Sequence, residues 1–165
     1  PCPVVVVHPD HATLQADTKI AVATDLTETA KGAISSSARV ANVLGAWLDI
    51  VHATNPTKSP ALEESDLPES LRSDALEQRA SAQMEQVLEA NQAELGGVSY
   101  QTHILEASPV VGITEFVADH GSDLVFFGNA SSYNVITNVF GRVSVKLMQT
   151  LPATVFIVPP KAQDS

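Results

Sequence analysis

The chain has 165 residues and carries 9 basic against 19 acidic side chains, a formal charge of −10 at pH 7. That balance excludes a grip on nucleic-acid backbones, which takes clustered Lys and Arg, whereas the basic residues here are scattered singly. A hydrophobic content of 44% suits one compact core, the single Cys2 excludes an internal disulfide, and no apolar run approaches the ~20 residues of a membrane span, so a cytoplasmic protein is expected.

The chain opens on Pro1-Cys-Pro-Val-Val-Val-Val-His-Pro9, a proline, two residues and a run of apolar strand formers. The first strand of the domain proper is Lys19–Thr24, nearly continuous in apolar character, as a parallel strand covered on both faces should be. A helix is expected over 27–44, with Ala30, Ala33, Ile34, Ala38, Ala41 and Leu44 on one face and Gly45 to end it. A strand at Trp47–Ala53, with Trp47 in the core or sheet, leads into a loop holding Pro56, Pro60 and Pro68. One long helix is expected over 69–95, burying Leu71, Ala75, Ala80, Met84, Val87 and Leu88, before Gly96-Gly97. Val98–Leu105 alternates as an edge strand does. Ser108 caps a helix that has Pro109 at its first position and runs to His120 before Gly121. Leu124–Phe127 is a short buried strand ending on Gly128, then come a polar loop, a helix over 142–151 and a last strand, Thr154–Val158, closed by Pro159-Pro160.

This alternation predicts an α/β fold, a three-layer, doubly wound parallel sheet of five strands with right-handed crossovers. Ligands of such sheets sit beyond the carboxyl ends of the strands, where the strand order reverses. The loops after the first and fourth strands, 24–27 and 128–141, are therefore the places to look.

One segment falls outside that unit. Pro1–Val7 superimposes without a gap on Pro152–Val158, as though a second copy of the closing strand preceded the domain. The expected organisation is residues 1–18 as the closing strand of a preceding domain plus linker, 19–158 as the domain, and 159–165 as a tail. The start at Pro1 rather than Met points the same way, to a processed chain or a fragment of a tandem protein. An incidental β-rich arm is the alternative.

The chemistry concentrates in Gly128-Asn129-Ala130-Ser131, nine further residues, then Gly141-Arg142-Val143-Ser144 opening a helix. A glycine-punctuated loop before a helix N-terminus offers free N–H groups and the positive end of the helix dipole, which together suit phosphate. Plain turn glycines would look the same. The five histidines lack chelate spacing, so no metal site is expected. No Gly-x-Ser-x-Gly elbow, no Gly-x-x-x-x-Gly-Lys-Ser/Thr loop and no Cys–His pair is present, so no enzyme is expected.

The spacing Gly128-x-x-Ser131, nine residues, Gly141-Arg142 resembles the signature of the universal stress protein family, Gly-x-x-Gly, nine residues, Gly-Ser/Thr. Lys19–Asp25, Glu106-Ala-Ser-Pro109, His120–Gly128 and Leu151–Val158 match it in order, and the resemblance covers 19–158. It implies an adenine-nucleotide α-hydrolase-like sheet of order 3-2-1-4-5, and a stress-response module pairing through its last strand, Thr154, Val155, Phe156, Ile157 and Val158, as a homodimer or between tandem halves. It also implies adenine nucleotide (ATP, ADP or AMP) as ligand. Asp25, after Ala23 and Thr24, would hold the nucleoside, backbone at Ala53 would meet adenine, and the glycine loop with Val143 and Ser144 would take phosphates. The chain departs at Ser131, where the family has its second glycine, and at Arg142, where it has Ser or Thr. Arg142 can fill the phosphate site, pair with a phosphate, or pair with a surface carboxylate. Asp25 can contact a ribose or cap the amide of Glu28. An assembly domain of the same fold that binds no nucleotide is the alternative reading.

Overall fold

The structure, a computed structural model, describes residues 3–9, 17–27, 30–54, 69–128 and 142–159. Its strands are β1 (Val4–Val6), β2 (Ile20–Ala23), β3 (Leu48–Thr54), β4 (Tyr100–Glu106), β5 (Leu124–Gly128) and β6 (Thr154–Val158). Its helices are α1 (Lys31–Leu44), α2 (Glu69–Ala90), α3 (Gln92–Leu95), α4 (Pro109–His120) and α5 (Arg142–Thr150). They form one mixed sheet in the order β4-β3-β2-β5-β6-β1. The five expected strands are parallel and stand in the expected order. The sheet nevertheless has six strands, because the valine run assigned outside the domain pairs antiparallel with β6.

Side chains leave a strand alternately to its two faces, so each buried strand feeds two cores. On one face Ile20, Val22, Leu48, Ile50, Leu124 and Phe126 pack with Ala33, Ile34 and Ala38 of α1 and with Met84 and Val87 of α2. On the other, Ala23, Val125, Phe127, Val155 and Ile157 meet Ile113 and Val117 of α4 and Leu147 of α5. The result is three layers with the sheet in the middle. On the α4 face His103 Nε2 and Asp49 Oδ1 lie 2.8 Å apart, and the His103 ring packs on Phe116, which stacks on His120. Gly45 ends α1 at φ +64, in the left-handed region where glycine is favoured, and its N–H reaches the carbonyls of Ala41 and Asn42.

Three expectations need correction. The long helix is two: Asn91 interrupts it at φ −114, with its side-chain amide donating to Val87 O, the kind of local side-chain bond that competes with the helix ladder. Leu71, expected on its buried side, is 51% exposed, while Met84 is 3% exposed. A 22-residue helix is about 33 Å long, against roughly 23 Å for the seven-residue strands beneath it, so one end overhangs the sheet. Trp47 is also 49% exposed; it stands just before β3, outside the strand it was expected to open.

Candidate functional site

β2 lies between β3 and β5, so the crossovers leaving its carboxyl end and that of β5 run to opposite faces of the sheet. A crevice must open where they part. It is a cleft of about 310 Å³, floored by the ends of β2, β3 and β5 and flanked by Ala30 before α1, by Pro109 and Ile113 of α4, and by Val143, Ser144 and Leu147 of α5.

Of the twelve residues expected at a site, Ala23, Thr24, Asp25, Ala53, Gly128, Val143 and Ser144 all line this one cleft. They come from four segments of the chain, so the fold brings together what the sequence holds apart. Arg142 opens α5, and its backbone stands at the helix start beside Val143. Asn129, Ala130, Ser131 and Gly141 lie outside the described residues, so their contribution to a phosphate cradle is not part of the geometry.

The loop after β2 is built by its own side chains. Thr24 Oγ1 accepts the Leu26 N–H at 3.0 Å, and Asp25 Oδ1 accepts both the Thr27 N–H at 3.0 Å and the Thr27 hydroxyl at 2.6 Å. Asp25 is thus a turn-forming residue, with Thr27 as its partner; the expected capping partner, Glu28, lies outside the described residues. These bonds hold Leu26 at φ +61, where a side chain costs roughly 1–2 kcal/mol. Asp25 Oδ2 remains available to a ligand hydroxyl, since Oδ1 takes both bonds from Thr27.

The backbone of Ala53 follows from the ladder. In a parallel pair, alternate residues point both of their peptide groups to the same neighbour. Val51 O accepts the Thr24 N–H and Trp47 O accepts the Ile20 N–H, so odd-numbered residues of β3 face β2. The β2–β3 pairing ends at Ala23 and Val51. Two residues later, Ala53 directs its N–H and C=O to the side that β2 has vacated, over the cleft. A donor and an acceptor held side by side in this way can meet the edge of a heteroaromatic base.

Sequence reasoning missed His52, which also lines the cleft. Its Nδ1 lies 2.8 Å from Thr24 O, and a carbonyl can only accept, so Nδ1 carries the proton. In the neutral ring Nε2 is then an acceptor. The available signal was its place beside Ala53 at the end of a strand next to the switch point. Ile113, Phe127 and Leu147 were missed as well; they make the walls largely apolar, as ligand clefts are. Asp25 is the one carboxylate among the described residues that line the cleft.

The model of the universal stress protein family matches residues 18–159. The chain belongs to the universal stress protein family. No curated protein gives a significant match to it. Among solved structures, a universal stress protein in complex with cAMP is 18% identical, with a TM-score of 0.66, covering 89% of this chain and 100% of that one. The universal stress protein UspA from Lactobacillus plantarum is 18% identical at a TM-score of 0.68, covering 86% and 97%. A universal stress protein from Archaeoglobus fulgidus DSM 4304 is 22% identical at a TM-score of 0.64, covering 96% of this chain but 50% of its own. At these identities the structural likeness is one of fold. Among the described residues of this universal stress protein, no helix is long and apolar enough to cross a membrane.

Proposed function

We propose that this universal stress protein domain is a non-catalytic, cytoplasmic stress-response module that binds an adenine nucleotide in the cleft over β2, β3 and β5. The observation that carries this reading is the convergence of Asp25, the outward-facing backbone of Ala53 and the start of α5 on one apolar cleft of ligand size. The base lies between apolar walls and meets the N–H and C=O of Ala53, with His52 Nε2 as a further acceptor suited to an exocyclic amino group. Asp25 Oδ2 takes ribose hydroxyls, and the phosphate end approaches the first turn of α5, whose free N–H groups favour anions. The complex of a related universal stress protein with cAMP supports an adenine ligand. The lack of a nucleophile motif in the sequence, and the commitment of His52 Nδ1 to a backbone carbonyl, support binding without turnover.

Titration calorimetry with AMP, ADP, ATP and cAMP tests the reading, together with mass spectrometry of small molecules released from protein purified without added nucleotide. Saturable binding of at least one of them is expected, abolished by Val143→Trp, which fills the cleft from its rim. No heat and no thermal shift with any of the four at millimolar concentration overturns it, and steady phosphate release from ATP overturns its non-catalytic part.

A further inference from the structure

We propose that the outer edge of β4 is a docking edge for an extended, basic segment of another protein, which adds a strand to the sheet and sends one Arg or Lys side chain into an acidic pocket at the carboxyl end of that edge. The site shares no lining residue with the cleft over β2, β3 and β5. Among the described residues, β4 has β3 on one side and no strand on the other. Ser99 O accepts the Leu48 N–H, so by the alternation of a parallel pair the odd-numbered residues of β4 direct their peptide groups to β3. Tyr100, Thr102 and Ile104 therefore turn theirs outward along the free edge. Proteins ordinarily blunt such an edge with Lys, Pro or another charge, or keep it short. This one is seven residues long, and from Tyr100 to Leu105 it carries no Lys, Arg, Asp, Glu or Pro.

The pocket sets the chemistry of the occupant. It measures about 170 Å³ and opens between Ile104 and Glu106 of β4, Thr54 at the end of β3, and Ser73, Leu76 and Glu77 of α2. Leu76 and Ile104 offer apolar surface to a long stem, and Glu77 and Glu106 offer carboxylates to its charged end, which is the division within an Arg or Lys side chain. No Lys or Arg lines the pocket, and neither carboxylate has an ion-pair partner among the described residues. Residues directly opposite each other on neighbouring strands share a face, so the docked residue that faces Ile104 or Glu106 holds its side chain at the mouth of this pocket. Backbone pairing then supplies affinity while the pocket selects the side chain, as in strand addition elsewhere. The charge of −10 on the whole chain favours the approach of a basic segment.

The test uses the full chain and a fluorescein-labelled peptide, Thr-Val-Thr-Arg-Thr-Val-Thr, whose Arg and Val side chains share one face. In the free chain, amide hydrogen exchange should be slow at Gln101 and His103 and fast at Thr102 and Ile104. Saturating peptide should slow Thr102 and Ile104 by about tenfold or more. Fluorescence anisotropy should show saturable binding that weakens about tenfold or more when Glu replaces the Arg of the peptide. Glu77→Gln with Glu106→Gln, an isosteric pair of changes at exposed positions, should weaken the Arg peptide to the same degree. N-methylation of the peptide backbone at the Val and Arg residues, or instead at the Thr residues, blocks one pairing edge or the other, so one of these two peptides should bind as the parent does and the other not at all. Slow exchange at Thr102 and Ile104 in the free chain means that a second copy or another segment already covers the edge, and overturns the proposal. No binding of the Arg peptide, equal binding of the Arg and Glu peptides, full binding to the double Gln variant, or two methylated peptides that bind alike overturns it as well.

Discussion

Asp25 Oδ1 accepts two hydrogen bonds from Thr27, and those bonds shape the loop that places Asp25 in the lining of the cleft. Structural and binding roles therefore sit on different oxygens of one carboxylate. Asp25→Asn keeps an acceptor for Thr27 but removes the charge and one acceptor from the cleft. Asp25→Ala removes everything. Differential scanning calorimetry should show Asp25→Ala destabilised by about 1 kcal/mol, a drop of ~2–4 °C in Tm for a chain of this size, with Asp25→Asn near the parent. Nucleotide affinity should fall about tenfold or more in both, since a hydroxyl bond to a carboxylate is worth roughly 1.5–3 kcal/mol. The position of Asp25 at a strand end was legible in sequence. The left-handed Leu26 was not, because nothing in a Leu announces a positive φ; the bonds from Thr24 and Asp25 impose it.

At the scale of elements, α2 shows how a periodic pattern misleads. Leu71, Ala75, Ala80, Met84 and Val87 lie on a helical stripe, yet only the part above β3 and β4 finds a surface to cover. Met84→Ala should cost about 2–4 kcal/mol in chemical denaturation, while Leu71→Ala should stay within about 0.5 kcal/mol. Equal losses at both positions would mean that the overhanging turns are buried in solution. The stripe states which side of the helix is apolar, but it carries no information on how far the sheet beneath extends. The other misreading has the same origin. The strand character of Val4–Val7 was plain from composition, but its neighbour lies some 150 residues away in sequence, and pairing over that separation leaves no local trace.

At the scale of the molecule, the charge of −10 and the scattered cations set what the surface can attract. The chain should pass through a heparin or DNA-cellulose column unretained at ~50 mM salt, where phosphate-backbone binders are held; retention would mean that a cationic face exists after all. Any affinity for nucleotide must then come from the cleft rather than from a general attraction for phosphate. By itself the sequence determined the parallel α/β sheet, the order of its five parallel strands through the family motif, and the placing of Asp25, Ala53, Gly128 and Ser144 at chain positions that end strands or begin a helix. The sheet and the strand and helix ends follow from local patterns, the two-residue and 3.6-residue periods and the glycines and prolines that interrupt them, whereas the strand order followed only from the resemblance to the family. Only the tertiary structure decided that β2 stops at Ala23 while β3 continues to Thr54, which bares the peptide groups of Ala53 and brings His52 to the cleft. It alone set Val5 against Phe156. Both depend on which strand lies beside which and where each one ends, and those facts arise from contacts between residues far apart in the chain.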